Sequence, residues 1–491
     1  MSNPTGKTVS ALRKITQSLT FRTIVIAIIT LTMFIPLAMV DDIVRERGNR
    51  FNNVINQIAS VWGEPQTLTG PILAVPYVDH VLTVETVTDK SGDTRTISKD
   101  VFTDHTMILL PEELNIQGTL QEEYRKRGIY ESLVYVSDLN LSGHFNIQPL
   151  LSACGNDCSI KWDKAWIATG LTDTKAINET SRLSWNNTSV GINPGTQLPT
   201  LISNGFHAPL KGIEPDSPLP EFKIRLSING SGGIRFAPLG KVTIAEFTSP
   251  WPHPSFQGGV LPKEKKIDSE GFSARWQIPN LARNYPQYWE FSKKPTHSLN
   301  DFVAGVDLFE PVTLYSKISR STKYGILFIA LTFITFLIFE LTTKTRPHFV
   351  QYILVGLAMS LFYLILLSLA EHVAFLHAYI AASATTIILI SAYAFAILKS
   401  LARAFLFFLL LVGLYTVLYT LLHLEDFALL TGTALLLIVT TVLMYVTRHT
   451  HRSTALAAGK QNDVKPEKNE RDIAEDSASH EVAEINDKTK D

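Results

Sequence analysis

Trp251-Pro252-His253-Pro254 is the local sequence best suited to displaying chemistry. Two prolines hold the backbone extended and remove two amide donors, so a tryptophan and a histidine are presented rigidly. A recognition loop or a histidine-centred site would be built this way. A strand-end corner whose tryptophan plugs a β-core accounts for the same residues more simply, since one histidine without a located partner is weak evidence for a site. Cys154 and Cys158 are the two cysteines of the chain. They lack the second ligand pair of a zinc site and are not the Cys-x-x-Cys of a redox enzyme. Outside the cytoplasm they read as one small disulfide loop, with two free thiols as the alternative. Glu340, Glu371 and His372 stand at the ends of long apolar runs. Ionisable groups within a membrane point to function when they lie deep, and these lie near opposite interfaces, within reach of water. Glu371, His372, His377, His423, Glu425 and Asp426 would have to converge to hold a metal or relay a proton, and no spacing in the sequence shows that they do.

Other chemistry is not signalled. The chain has no Gly-x-Ser-x-Gly elbow, no His-Glu-x-x-His pair and no Gly-x-x-x-x-Gly-Lys loop. Arg125-Lys126-Arg127 lies beside Glu122 and Glu123 and reads as a solvated face. A net charge of -1 gives no reason to expect nucleic acid. The expectation is a protein without catalytic residues, metal or cofactor.

The elements that must position these residues divide by solvent. Five apolar runs, Tyr324–Leu341, Val350–Ala370, Phe375–Leu398, Ala402–Leu422 and Phe427–Thr447, form a block over 324–447. Each has about the 20 residues that an α-helix needs to cross ~30 Å of hydrocarbon, and lipid offers a bare backbone no other way to satisfy its amides. Alternate connections carry Lys344 and Arg346, then Lys399 and Arg403, and the last run exits into Arg448 and Arg452. Basic residues stay cytoplasmic, so the block is expected to enter from outside and leave into the cytoplasm. Residues 1–22 are basic, an apolar run follows over 23–40, and Asp41-Asp42 closes it. Without an A-x-A cleavage pattern this reads as a retained anchor, with a helical continuation over 41–61. Both termini are then cytoplasmic, and 41–323 faces the compartment beyond.

That middle segment changes to period two. Phe222, Ile224, Leu226 and Ile228 alternate with Lys223, Arg225 and Ser227, and Val81–Val87 and Arg95–Ile97 flank the turn Lys90-Ser91-Gly92-Asp93. Many such strands imply an antiparallel β-sandwich. The tail over 448–491 is polar, mixed in charge and expected to be disordered. The fold class is therefore a membrane protein: one N-terminal helix, a large periplasmic antiparallel β-sandwich-like domain, and a C-terminal five-helix bundle.

Several stretches in order carry a resemblance. They include Leu68-Thr69-Gly70-Pro71-Ile72-Leu73-Ala74-Val75-Pro76-Tyr77, Arg127-Gly128-Ile129-Tyr130, Ser249-Pro250-Trp251-Pro252-His253-Pro254-Ser255-Phe256, Gly271-Phe272-Ser273-Ala274-Arg275-Trp276, Gln351-Tyr352-Ile353-Leu354-Val355-Gly356-Leu357 and Leu369-Ala370-Glu371-His372. Together they resemble the bacterial inner-membrane CreD, or cell envelope integrity, family from about Gly63 onward. The resemblance implies a large periplasmic domain, expression under a sensor kinase and response regulator pair, and a link to envelope integrity and β-lactam response. It supplies no mechanism. One departure is Asp173-Thr174-Lys175-Ala176-Ile177, where the family pattern leads one to expect Asp-x-Arg-Gly-Ile. The cysteine pair and the charged tail also look like additions of this chain.

The preferred expectation is an envelope protein whose β-domain binds a partner, be it protein, glycan or lipid, through a loop containing Trp251, Pro252, His253, Pro254, Arg275 and Trp276, while helices hold it in the bilayer. Two rivals are a membrane-protein insertase or chaperone, suggested by a layout like that of YidC-type insertases, and a transporter. The first lacks the intramembrane arginine of those insertases, and the second lacks deep charges and broken helices.

Overall fold

The computed structural model describes residues 19–88, 94–154, 158–211, 219–291, 297–308, 310, 313–342 and 347–423, and a few single positions between 433 and 444. The expected run Phe427–Thr447 is therefore largely outside the described residues, and the tail over 448–491 is wholly so. Among the described residues, six helices carry the membrane part: α1 (Leu19–Thr32), α2 (Phe34–Trp62), α3 (Leu314–Thr342), α4 (Phe349–Ala370), α5 (Phe375–Leu398) and α6 (Leu401–His423). Since α1 and α2 join end to end over Thr20–Trp62, the described residues hold five helical stretches long and apolar enough to cross a membrane.

The join at Met33 has a local cause. Pro36 has no N–H to offer the carbonyl four residues back, that of Thr32, so one rung of the ladder is missing and the turn there is irregular. Beyond it α2 continues without a break to Trp62. Apolar counting opens the second run at Tyr324, whereas α3 begins at Leu314 because its first turns are polar and pack on α2. Gly48 of α2 lets α3 approach closely, since a Cβ there would already touch Cβ of Tyr315 at 3.4 Å. Asp41 then ties the pair, accepting from the hydroxyls of Ser319 at 2.9 Å and Thr322 at 3.1 Å while its other oxygen takes Arg45 at 2.7 Å. On the far side of α3, Phe333 meets Tyr352 of α4 edge-on with ring centres 5.5 Å apart. The chain divides into two units after Ile397, and α6 belongs to the second.

Among the described residues, eighteen strands lie between α2 and α3. They are β1 (Gln66–Thr88), β2 (Thr94–Leu109), β3 (Pro111–Arg127), β4 (Tyr130–Phe145), β5 (Cys158–Ile160) and β6 (Trp166–Leu171). Next come β7 (Arg182–Trp185), β8 (Thr188–Val190), β9 (Asn193–Pro194), β10 (Gly205–Pro209), β11 (Glu221–Ser231) and β12 (Gly233–Phe236). The last are β13 (Val242–Ser249), β14 (Pro254–Gly258), β15 (Glu264–Asp268), β16 (Gly271–Pro279), β17 (Tyr288–Glu290) and β18 (Ala304–Leu308). One sheet runs β14-β18-β12-β1-β6-β10-β9, with β2, β5 and β17 attached beside it, and the other runs β15-β16-β13-β3-β4-β11-β7-β8.

The expectation of an antiparallel sandwich is corrected at two pairings. β1 pairs in parallel with β12, and β3 in parallel with β13. Alternation of apolar and polar residues says which face is buried but nothing about strand direction. Direction changes where the chain crosses between sheets. β11 and β12 lie in different sheets with only Gly232 between them, and its φ of 68° is the left-handed turn that glycine takes without strain.

The inner faces of both sheets meet in one core. Along β11, Phe222, Ile224, Leu226 and Ile228 are buried and Lys223 and Arg225 are exposed. Two tyrosines are sealed in this domain. Tyr135 is fully buried and its hydroxyl donates to the Gly233 carbonyl at 2.8 Å, and burial pushes its ionisation far upward. Burial likewise pushes Tyr285 up to about 12. In the unfolded chain both ionise near pH ~10. Their raised values therefore contribute stability that is complete below about pH 10 and is lost as pH rises through their folded values. Titration of tyrosinate absorbance should show a late phase that coincides with loss of β-structure. A single reversible phase near pH ~10 would mean that these hydroxyls reach water.

Candidate functional site

Where the β-domain meets the membrane helices, four separate parts of the chain converge on one cavity of about 270 Å³. α2 contributes Phe51 to the lining, and Arg47, one turn earlier on the same face, stands at its edge against Glu371. The turn between β3 and β4, with Gly128 at φ 64°, carries Ile129, and Tyr130 and Glu131 open β4 directly after it. Leu314 and Tyr315 start α3, and Ala370 and Glu371 end α4.

Three aromatic rings form the wall: Phe51 sits edge-on to Tyr130 at 6.0 Å and tilted against Tyr315 at 5.6 Å. Tyr315 donates to Oε1 of Glu371 at 3.1 Å. The other carboxylate oxygen faces Nη1 of Arg47 at 3.9 Å, an ion pair too long to be a hydrogen bond, so neither charge saturates the other. The hydroxyl of Tyr130 is buried close to Arg47 and has no hydrogen-bond partner of proper geometry. Glu131 sits beside Glu310, and burial followed by that neighbour pushes the Glu310 carboxyl above the usual range. The arrangement presents donors, an acceptor, one cation and π-faces within a small volume.

Glu340 lies near the end of α3, beside the first turns of α4 and away from the cavity. It is buried, pairs with Arg22 of α1 and accepts from Tyr352 at 3.3 Å, while Arg22 also donates to the Pro347 carbonyl at 3.2 Å. Glu340 and Glu371 therefore belong to separate sites. His372 is exposed and its Nδ1 is 3.0 Å from the Ser368 carbonyl, so it turns back on its own helix rather than into the cavity. Glu425 and Asp426 are outside the described residues, among which no group of three His, Cys, Asp or Glu side chains could hold a metal.

Trp251 to His253 form the corner between β13 of one sheet and β14 of the other. Trp251 leans on the core, its indole donates to the His253 carbonyl at 3.2 Å, and the His253 ring is exposed. Arg275 and Trp276 do not join that corner as a pair. Neighbours along a strand point to opposite faces, so Arg275 is exposed between Glu246 and Glu264 of the adjoining strands while Trp276 is fully buried. Trp276 is thus corrected from a recognition residue to a core residue. Cys154 and Cys158 are joined as a disulfide with Cα atoms 5.1 Å apart, beside β5. Arg47, Phe51 and Tyr315 were not signalled by any motif. Tyr130 stands in one of the stretches that carry the resemblance.

A family model described as "Inner membrane protein CreD" matches residues 18–452. The chain belongs to the CreD family. This CreD-family protein is 35% identical over 422 residues to the inner membrane protein CreD of Escherichia coli (strain K12), a match covering 85% of this chain and 90% of that one. Among solved structures, an M1 zinc metallopeptidase from Deinococcus radiodurans, bound to a Tyr-Ser-Ala substrate, aligns with 34% of this chain and 39% of its own, at 10% identity and a TM-score of 0.16. A second structure of that peptidase aligns with 34% and 38%, at 8% identity and a TM-score of 0.16. That likeness is too slight to bear on fold or reaction. The CreD match spans both the β-domain and the described helices, so the junction cavity lies within the shared region.

Proposed function

We propose that this inner-membrane protein supports cell envelope integrity by non-enzymatic binding, its β-domain facing the periplasm and engaging an envelope protein, glycan or lipid. The observation that carries the reading is mechanical. α2 leaves the bilayer and runs unbroken to the foot of the β-domain, where Trp62 donates to the Tyr135 carbonyl at 3.4 Å and the Arg125 guanidinium lies 3.8 Å over its ring. A domain held at a defined height and orientation suits capture of something near the membrane surface. The distribution of Lys and Arg between alternate connections supports the periplasmic placement.

A photo-crosslinking residue at His253 or Arg275, both exposed, tests this in intact cells. The expected result is a discrete adduct that is absent when the probe stands at the buried Ile224. No adduct at either exposed position, together with turnover of peptidoglycan or lipid by the purified protein, would overturn the reading.

A further inference from the structure

We propose that the junction cavity binds the phosphoethanolamine head group of a phospholipid in the leaflet on the β-domain side. The unmet valences of the site define the ligand. Arg47 has five N–H donors, and its 3.9 Å ion pair to Glu371 and its contact with the Tyr130 hydroxyl engage only part of them, which leaves N–H groups for phosphate oxygens. Oε2 of Glu371 takes no hydrogen bond from Tyr315, which bonds the other oxygen, so it can accept from an ammonium group. Phe51, Tyr130 and Tyr315 surround that position with π-faces, the environment that attracts a cation. The hydroxyl of Tyr130 is buried beside Arg47 and Tyr315 without a well-aligned hydrogen bond, and a ligand phosphate or ammonium would give it one. A ligand with one anion and one cation a few bonds apart satisfies all three groups. A purely anionic head group would bring no donor to the second oxygen of Glu371, and a trimethylated one could not donate to it.

The position selects the lipid. Glu371 caps α4 directly after its apolar span, and Leu314 and Ala370 supply the apolar side of the cavity. Polar head groups stand at this depth, where tyrosines are also enriched. A volume of about 270 Å³ suits a head group, with the acyl chains left in the bilayer. Bound there, the lipid would touch the β3–β4 turn of the domain and three helices at once.

Native mass spectrometry of the full-length protein, released from membranes of defined composition, reads this directly. Phosphatidylethanolamine should be retained about tenfold or more over phosphatidylglycerol and phosphatidylcholine, the ratio one charge-assisted hydrogen bond provides. Tyr130→Phe removes a hydroxyl that has no well-aligned hydrogen bond in the fold, so it should not lower the lipid-free melting temperature and should still weaken retention several-fold. Arg47→Gln should abolish the preference, and Arg47→Lys should recover part of it. Equal retention of the three lipids, or full retention by both Tyr130→Phe and Arg47→Gln, would overturn the proposal. So would binding of water-soluble phosphoethanolamine without binding of the lipid.

Discussion

Trp276→Ala is expected to lower the stability of the β-domain by about 3–5 kcal/mol, the range for truncating a large aromatic in a packed core. Trp276 has no exposed surface and meets three phenylalanines edge-on: Phe236 and Phe247 at 5.9 Å and Phe256 at 5.8 Å. Each such pair contributes roughly 0.5–1.5 kcal/mol beyond the buried area. Its indole N–H donates to the Val260 carbonyl at 3.1 Å, which holds the segment between β14 and β15 against the core. Trp276→Phe keeps most of the packing and loses that bond, so it should cost only about 1–2 kcal/mol relative to the parent. Urea unfolding of the purified full-length protein, followed by far-ultraviolet circular dichroism, separates the two variants. Were Trp276 a recognition residue, Trp276→Ala would leave the unfolding midpoint where it was and remove only the crosslinked adduct.

Arg283→Ala should destabilise the same domain by about 3 kcal/mol, each buried carbonyl left without a donor costing roughly 1–3 kcal/mol. Arg283 is buried and no carboxylate lies within ion-pair distance of it among the described residues. Instead the guanidinium donates to the carbonyls of Tyr285 at 2.8 Å, Pro286 at 3.2 Å and Leu239 at 3.2 Å, and to Oε1 of Gln287 at 2.5 Å. Gln287 in turn donates to the Pro111 carbonyl, which pins the loop before β17 to the start of β3. Burial pulls the guanidinium below its ordinary value, yet an arginine remains charged far above neutral pH. Its removal relieves a desolvation cost, which is why the expected loss is smaller than the sum over its acceptors. Arg283→Lys reaches fewer of them and should fall between parent and alanine. A midpoint for Arg283→Ala equal to that of the parent would show that water replaces the lost donors.

What could be read in advance follows from which interactions are local. Twenty apolar residues in a row announce a helix in any context, and the alternation of Phe222 to Ile228 announces a half-buried strand. Strand direction is not local, and the parallel pairings of β1 with β12 and β3 with β13 left no trace in composition. Opposite faces for Arg275 and Trp276 follow from the two-residue period alone, so grouping them overlooked a signal already present. The junction cavity was illegible for another reason. Phe51 with Arg47, Tyr130, Tyr315 and Glu371 come from four distant segments, and none is unusual where it stands. Glu371 is the exception, because a carboxylate beside a long apolar run is conspicuous.

The embrace of α2 and α3 through Asp41 and Gly48 has a thermodynamic consequence for the eighteen strands inserted between them. Even a molten domain keeps its two ends within a helix diameter of each other, because both are moored in lipid. Such tethering removes chain freedom from the denatured ensemble much as a covalent crosslink would; for a loop of roughly 250 residues the closure term (3/2)RT ln n is about 5 kcal/mol. The bilayer thus serves as a clasp on the β-domain, and a version cut free at Trp62 and Leu314 would forfeit that share of its resistance to unfolding.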